Sequence, residues 1–283
     1  MFPLFIDGAE RWRPLPAPRS AFYIHDLGGN CVLSDFQLII KEYPSFEKLN
    51  LYPVGDVHIG SKEFNLELFK QWIEMVKNDP NGAVVIVGDM MNMGLRNSKS
   101  NVYEEQLSPM QQKELCYELL LPIADKIVAG CSGNHEYRAV KECGMNPLYD
   151  VFCRLRIEDR YRENACFIKL TVGKQGKNPN TYGVVLTHGS SKNKDERWTY
   201  GVDGCDCFIS GHIHDALHKP HGKIRMDLTH NKVKTVGYQN VVVVPFQDYG
   251  GYAIRGKYMP NHLGQFQRVL FDGTSKRVGY TYY

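Results

Sequence analysis

Cys207-Phe208-Ile209-Ser210-Gly211-His212-Ile213-His214 is an apolar run that ends in a glycine and two alternating histidines. If the run is a buried strand, Gly211 lets the backbone turn sharply at its end. Both imidazoles then leave the strand tip and point into one cleft. Neutral imidazole is the commonest metal ligand, so a paired Gly-His-x-His is a ligand-donating shape. Alone it is a weak signal.

Four upstream stretches end in the same way. Leu51-Tyr52-Pro53-Val54 runs into Gly55-Asp56-Val57-His58, and Ala83-Val84-Val85-Ile86-Val87 into Gly88-Asp89-Met90-Met91-Asn92. Ile127–Ser132 runs into Gly133-Asn134-His135-Glu136, and Gly183–Thr187 into His188-Gly189. In open α/β sheets, ligands bind beyond the carboxyl ends of the strands. Five such ends would bring Asp56, His58, Asp89, Asn134, His188, His212 and His214 to one place.

Around this pattern the chain has 283 residues, 43% apolar and 23% charged, with a formal net charge of +3. That is room for one large α/β domain of ordinary globular composition. The charge is too small to argue for nucleic acid by itself. Eight cysteines without a CxxC spacing, beside a histidine-rich site, read as reduced thiols and place the protein in the cytoplasm. No apolar run is long enough to span a bilayer, and the Met1–Ile6 start lacks the basic residues of a signal peptide.

Residues 1–20 carry four prolines and no periodicity, an irregular arm. Ala21 to Glu42 alternates around Gly28-Gly29-Asn30 as a hairpin would. Residues 1–48 are thus an arm and hairpin ahead of a domain spanning 49–283. Helical spacing over Glu63–Lys77 predicts a βαβ unit from 49 to 87. Ser108-Pro109 opens a helix to about Leu121, with Ser108 as N-cap. A charged helix is expected over 137–163, and adjacent strands over 165–171 and 182–187. Short strands are expected at 223–230, 232–237, 240–245, 265–271 and 276–283, which makes the C-terminal half β-rich.

Oxygen and nitrogen donors without thiolate suit Mn²⁺, Fe or Zn²⁺. Asp89 is the bridging candidate, the one carboxylate in the middle ligand group. Two cations about 3.5–4 Å apart activate a water and hold a phosphoryl group between them. His135 lies beside Asn134 and is the natural proton donor to a leaving oxygen.

In order and spacing, Asp56-x-His58, Gly88-Asp89-x-x-Asn92, Gly133-Asn134-His135-Glu136, His188 and Gly211-His212-x-His214 resemble the five motifs of calcineurin-like metallophosphoesterases. The resemblance covers roughly 50–250, and it looks more like the phage and bacterial nuclease-like members than the protein phosphatases. It implies an α/β fold, a four-layer α-β-β-α sandwich with two divalent cations, Mn²⁺ first and Fe, Zn²⁺ or Ni²⁺ as alternatives. It implies that Asp56, His58, Asp89 and His214 hold one cation. Asp89, Asn134, His188 and His212 would hold the other, and His135 would be the catalytic histidine. It also implies a hydrolase acting on a phosphodiester, with DNA or RNA among the candidates. A small-molecule or nucleotide phosphatase and a non-catalytic scaffold are the competing readings.

One position departs from the pattern. Many family phosphatases carry Asp-Arg where this chain has Asn92-Met93, and that Asp pairs with the catalytic histidine. An amide does not stabilise an imidazolium as a carboxylate does. His135 is then less readily protonated, or is oriented by another group. Substrate candidates are Arg138 and the basic segment Lys192-Asn193-Lys194-Asp195-Glu196-Arg197-Trp198, read as a loop that could hold phosphate on Lys192, Lys194 and Arg197 and stack a base on Trp198. Gln247–Ala253 is read as a substrate-facing loop or a strand turn. The plainer readings make Glu136 a structural carboxylate, Met90, Met91 and Met93 packing residues, Cys205 and Cys207 core thiols, and His218 and His221 surface residues. Arg154, Arg156, Arg160 and Arg162 fit a salt-bridged helix face.

Overall fold

The computed structural model of the chain describes residues 34–283 apart from 97, 99–101, 174–177, 256, 258–259 and 261–265. The proline-rich arm and most of the expected hairpin lie outside the described residues. All that follows concerns one compact unit, Leu33–Tyr283, to which the described residues belong.

The chain runs β1 (Ile39–Tyr43), β2 (Lys48–Val54), α1 (Leu66–Asn78), β3 (Gly82–Ile86), α2 (Pro109–Leu120), β4 (Ile127–Cys131), α3 (Asn134–Cys143) and α4 (Pro147–Arg154). There follow β5 (Tyr161–Arg162), β6 (Ala165–Val172), β7 (Asn180–Thr187), α5 (Lys192–Tyr200), β8 (Cys207–Ser210), β9 (Leu217–Asp227), β10 (Lys232–Val242), α6 (Gly251–Arg255), β11 (Gln267–Asp272) and β12 (Val278–Tyr282). One sheet has the order β1-β6-β7-β8-β10-β9, the other β12-β11-β2-β3-β4-β5. Every residue of β3, β4 and β8 is buried, as a strand covered on both faces must be.

Two apolar layers and one small cluster hold the sheets. Between the sheets lie Leu51, Val85, Val87, Cys131, Ile168, Leu170, Leu186, Ile209, Val241 and Phe271. On the outer face of the second sheet, Val54, Val84 and Ile86 meet Phe69, Trp72, Leu120 and Phe152 from α1, α2 and α4. On the outer face of the first sheet, Phe208 and Val185 cluster with Cys205, Phe167 and Val202. The Trp198 ring of α5 lies 5.8 Å from Phe208 and 6.3 Å from Phe167. The layers therefore run α-β-β-α, the expected four-layer sandwich.

The β2-α1-β3 unit is parallel, with Val54 opposite Ile86. Asn65 caps α1 by accepting the Leu68 N–H at 2.8 Å. Ser108 caps α2 in a capping box with Gln111 and Pro109 in its first turn.

Four expectations are corrected. The stretch 137–163 is not one helix: Gly144 ends α3 in the left-handed region (φ +70°), and Asn146 caps a new helix that starts at Pro147. Arg154 pairs with Glu114, while Arg160 donates to the carbonyls of Ala124, Asp125 and Ile127. Residues 192–198 are helical rather than a loop, because Trp198 has an apolar cluster to pack on. Ile39–Tyr43 pairs in parallel with β6, so the described end of the expected hairpin is an edge strand of the sheet. The strands expected at 223–245 are two longer ones, β9 and β10, paired antiparallel from Leu217–Val242 to Asp227–Lys232. Pro220 is tolerated because β9 is an edge strand, where its missing N–H faces no partner.

Candidate metal centre

All five donor-bearing segments leave the carboxyl ends of strands: Asp56 and His58 after β2, Asp89 after β3, Asn134 after β4, His188 after β7, and His212 and His214 after β8. Sharp turns bring the side chains back over the sheet ends. Asp56, His58, Asp89, His212 and His214 all have positive φ, between +50° and +74°. Non-glycine residues in that region cost of order 1 kcal/mol each and persist where the surroundings hold them. The backbone carbonyls of Gly88 and Asp89 accept from the N–H groups of Asp56 and His58. Gly88 (φ +83°) lies so close to the Ser132–Gly133 backbone that a Cβ there would collide with Gly133 N. That contact sets the β3 and β4 loops side by side.

Glu136 locks the same corner. It is fully buried, its Oε2 accepts the Asp89 and Gly133 N–H groups at 2.9 Å each, and its Oε1 accepts the Met91 N–H at 3.1 Å. Burial, then the neighbouring Asp89 carboxylate, pushes its pKa up to about 7. Its role in the fold is structural.

The donors form two adjoining groups. In the first, His58 Nε2 is 3.1 Å from His214 Nε2 and 3.9 Å from Asp56 Oδ1, and His214 Nε2 is 3.5 Å from the same oxygen. In the second, Asn134 Oδ1 is 3.0 Å from His188 Nε2 and 2.8 Å from His212 Nδ1. Asp89 Oδ2 stands between them, 3.1 Å from His188 Nε2 and 3.9 Å from His58 Nε2. Burial alone would raise the Asp89 carboxyl, but the imidazoles of His188 and His135 outweigh it and hold it well below the usual carboxylate range. For His188, burial opposes the charged form, but the Asp89 carboxylate outweighs it and lifts the pKa to about 10.

These residues fit a cation. Asp56 Oδ1 is buried with no hydrogen-bond partner, yet faces two imidazole nitrogens. A buried carboxylate oxygen left unpaired is costly unless something positive meets it. His188 directs Nδ1 at the Val87 carbonyl at 2.8 Å, so Nε2 is the ring atom turned toward the cleft, and a cation bound there would take the place of its proton. Among the described residues, three His/Asp sets could hold a metal ion: Asp56-His58-His214, His58-Asp89-His135 and Asp89-His188-His212.

His135 lies at the edge of the pair of groups, Nε2 3.7 Å from Asp89 Oδ2. Its orienting partner is the backbone carbonyl of Asn92, which accepts from Nδ1 at 2.6 Å. The main chain thus orients the ring, without the charge that a carboxylate would bring. Burial lowers the pKa of His135, and Arg138 lowers it further. Arg138 Nη2 is 3.0 Å from His135 Nε2, and Nη1 is 3.3 Å from the Asn92 carbonyl.

Arg197 is exposed on α5, and the side chains of Lys192 and Lys194 lie outside the described residues. The Trp198 ring lies against Phe208 and Phe167 of the outer layer and is 42% exposed. His218 Nε2 donates to Gln239 Oε1 and its ring stacks on Tyr280, and His221 stacks on Tyr238. Gln247 bonds Ser61 Oγ and bridges to Phe64, ahead of the short α6. Beside Asn134 and His188 a cavity of about 270 Å³ is lined by Tyr137, Glu163, Asn164 and Thr187. Sequence reasoning missed this cavity, whose residues come from three separate elements and share no motif.

The calcineurin-like phosphoesterase family matches residues 51–234 of this chain. Among solved structures, a metallophosphoesterase from Sphaerobacter thermophilus is similar at 14% identity over 83% of this chain and 88% of its own, with a TM-score of 0.40. The calcineurin-like phosphoesterase YfkN from Bacillus subtilis is similar at 12% identity over 84% of this chain and 90% of its own, with a TM-score of 0.39. No curated protein matches the chain. The family match takes in every donor segment from Asp56 to His214 and more than half of the sequence, so this chain belongs to the calcineurin-like phosphoesterases, metal-dependent hydrolases of phosphoric esters.

Proposed function

We propose that this chain hydrolyses a phosphodiester, with nucleic acid the leading substrate class, at two divalent cations that share Asp89. The observation that carries this is the convergence of the seven donors into two groups with Asp89 Oδ2 between them. Asp56, His58 and His214 would hold one cation; Asn134, His188 and His212 the other. Bound there, the cations would polarise a phosphoryl oxygen and supply hydroxide at neutral pH. A donor set of imidazole, carboxylate and amide without thiolate makes Mn²⁺ the first to test.

The chain's own residues do the rest. Arg138, half-buried beside His135, offers a guanidinium to a phosphoryl oxygen. His135 Nε2 is the ring atom that would carry a proton to the leaving oxygen, with the ring held by the Asn92 carbonyl. A diester has substituents on both sides of phosphorus, and the cavity beside Asn134 and His188 gives one of them room. The exposed Tyr137 on its wall offers an aromatic face to a base. Free thiols at all seven described cysteines suit a reducing compartment, which supports a cytoplasmic location.

Chelator-treated protein, reloaded with Mn²⁺, is expected to cleave bis-p-nitrophenyl phosphate and single-stranded DNA, and to lose both activities with excess chelator. Cleavage of the small diester without DNA would move the substrate to small diesters. No turnover with Mn²⁺, Fe²⁺, Zn²⁺ or Ni²⁺ would overturn the enzymatic reading.

A further inference from the structure

The polar loop after β3 returns to the metal centre through one carboxylate. Glu105 is half-buried and accepts from three sides. The Asn92 side-chain amide donates to its Oε1, Gln112 Nε2 donates to its Oε2 at 2.7 Å, and the Gly94 backbone bonds it as well. Gln112 is itself held without choice: it is fully buried, its Nε2 also donates to the Leu107 carbonyl at 2.9 Å, and its Oε1 accepts the Met93 N–H at 2.9 Å.

These partners fix a chain of protons. A carboxylate accepts and does not donate, so the Asn92 NH₂ must face Glu105. The Asn92 Oδ1 must then face the other way, and there it lies 3.2 Å from His58 Nδ1. An amide oxygen only accepts, so the His58 proton sits on Nδ1. The lone pair is left on Nε2, the atom turned toward Asp56, Asp89 and His214. Without Glu105 the Asn92 amide could rotate by half a turn and present NH₂ to His58. Nδ1 would then accept, and the proton would move to Nε2, where it blocks coordination.

We propose that Glu105 is a positioning residue for metal binding: through Asn92 it sets the tautomer of His58 and so makes that imidazole a ligand. It also gives Asn92 a purpose that the aspartate common at this position could not serve. Asn92→Asp would set two carboxylates against each other at Glu105. The inference rests on the reading of Asp56, His58 and His214 as one cation's ligands.

Two measurements test it. In chelator-stripped wild-type protein, ¹⁵N-detected histidine spectra should show His58 protonated at Nδ1. A proton on Nε2 would overturn the relay, whatever a variant does. Mn²⁺ titration of Glu105→Gln, in which an NH₂ replaces one acceptor, should then show one of two bound cations weakened about 10- to 100-fold and the other retained. Equal affinities in wild type and variant, within twofold at both sites, would also overturn it. If wild type itself binds fewer than two cations, the failure lies with the two-cation reading, and the His58 spectrum still decides the relay.

Discussion

Asp89→Asn should lower kcat/KM for a diester by about 10³-fold or more, the scale of losing a preorganised electrostatic group from a reacting centre. The substitution is chosen to spare the fold. Asp89 sits at φ +50°, a region that asparagine tolerates better than most residues. Its Oδ1 accepts the His135 N–H at 2.8 Å, and an asparagine oxygen can do the same. What changes is the other atom. Oδ2 lies 3.1 Å from His188 Nε2, 3.7 Å from His135 Nε2 and 3.9 Å from His58 Nε2, and an NH₂ there cannot bridge two cations. Both cations are therefore expected to bind more weakly. Steady-state kinetics with thermal unfolding as a control checks the result. A loss of less than tenfold in a folded variant would remove Asp89 from the centre of the account.

The second large effect is on stability. Glu136→Ala should destabilise the protein by at least about 3 kcal/mol, because three buried backbone N–H groups lose their acceptor and each costs about 1–3 kcal/mol unpaired. Glu136→Gln should cost less. One oxygen, at the Oε2 position, can keep the Asp89 and Gly133 N–H groups, and the NH₂ then meets only the Met91 N–H. Denaturant unfolding of the two variants against wild type gives the comparison. Equal stability for all three would mean that Glu136 does not hold the β3 and β4 loops together.

The donor set was legible in the sequence because chemistry and topology coincide there. Each ligand type follows at once on an apolar run, and strands buried on both faces announce themselves as such runs. Local caps were legible for the same reason: Ser108-Pro109 and the turn before β3 carry their geometry in residue types. Other features depend on contacts that no local pattern records. The helix α5 is polar along most of its length, and it forms because Trp198 finds Phe208 and Phe167 across the sheet. The break between α3 and α4 was visible in Gly144 and Asn146-Pro147, but the surrounding charge pattern argued for continuity. The acceptor for His135 is a backbone carbonyl, which every residue has. Glu105 lies in a stretch without periodicity, and its reach back to Asn92 follows from the close packing of Gln112. The Asn92 departure pointed to a missing partner for His135; the fold supplies one from the main chain and turns the side chain to His58 instead.

The most direct test of the account is the anomalous scattering of a crystal of this protein loaded with Mn²⁺. Two peaks about 3.5–4 Å apart are predicted, one among Asp56, His58 and His214, the other among Asn134, His188 and His212, with Asp89 reaching both. A single peak, or none among these seven side chains, would contradict it.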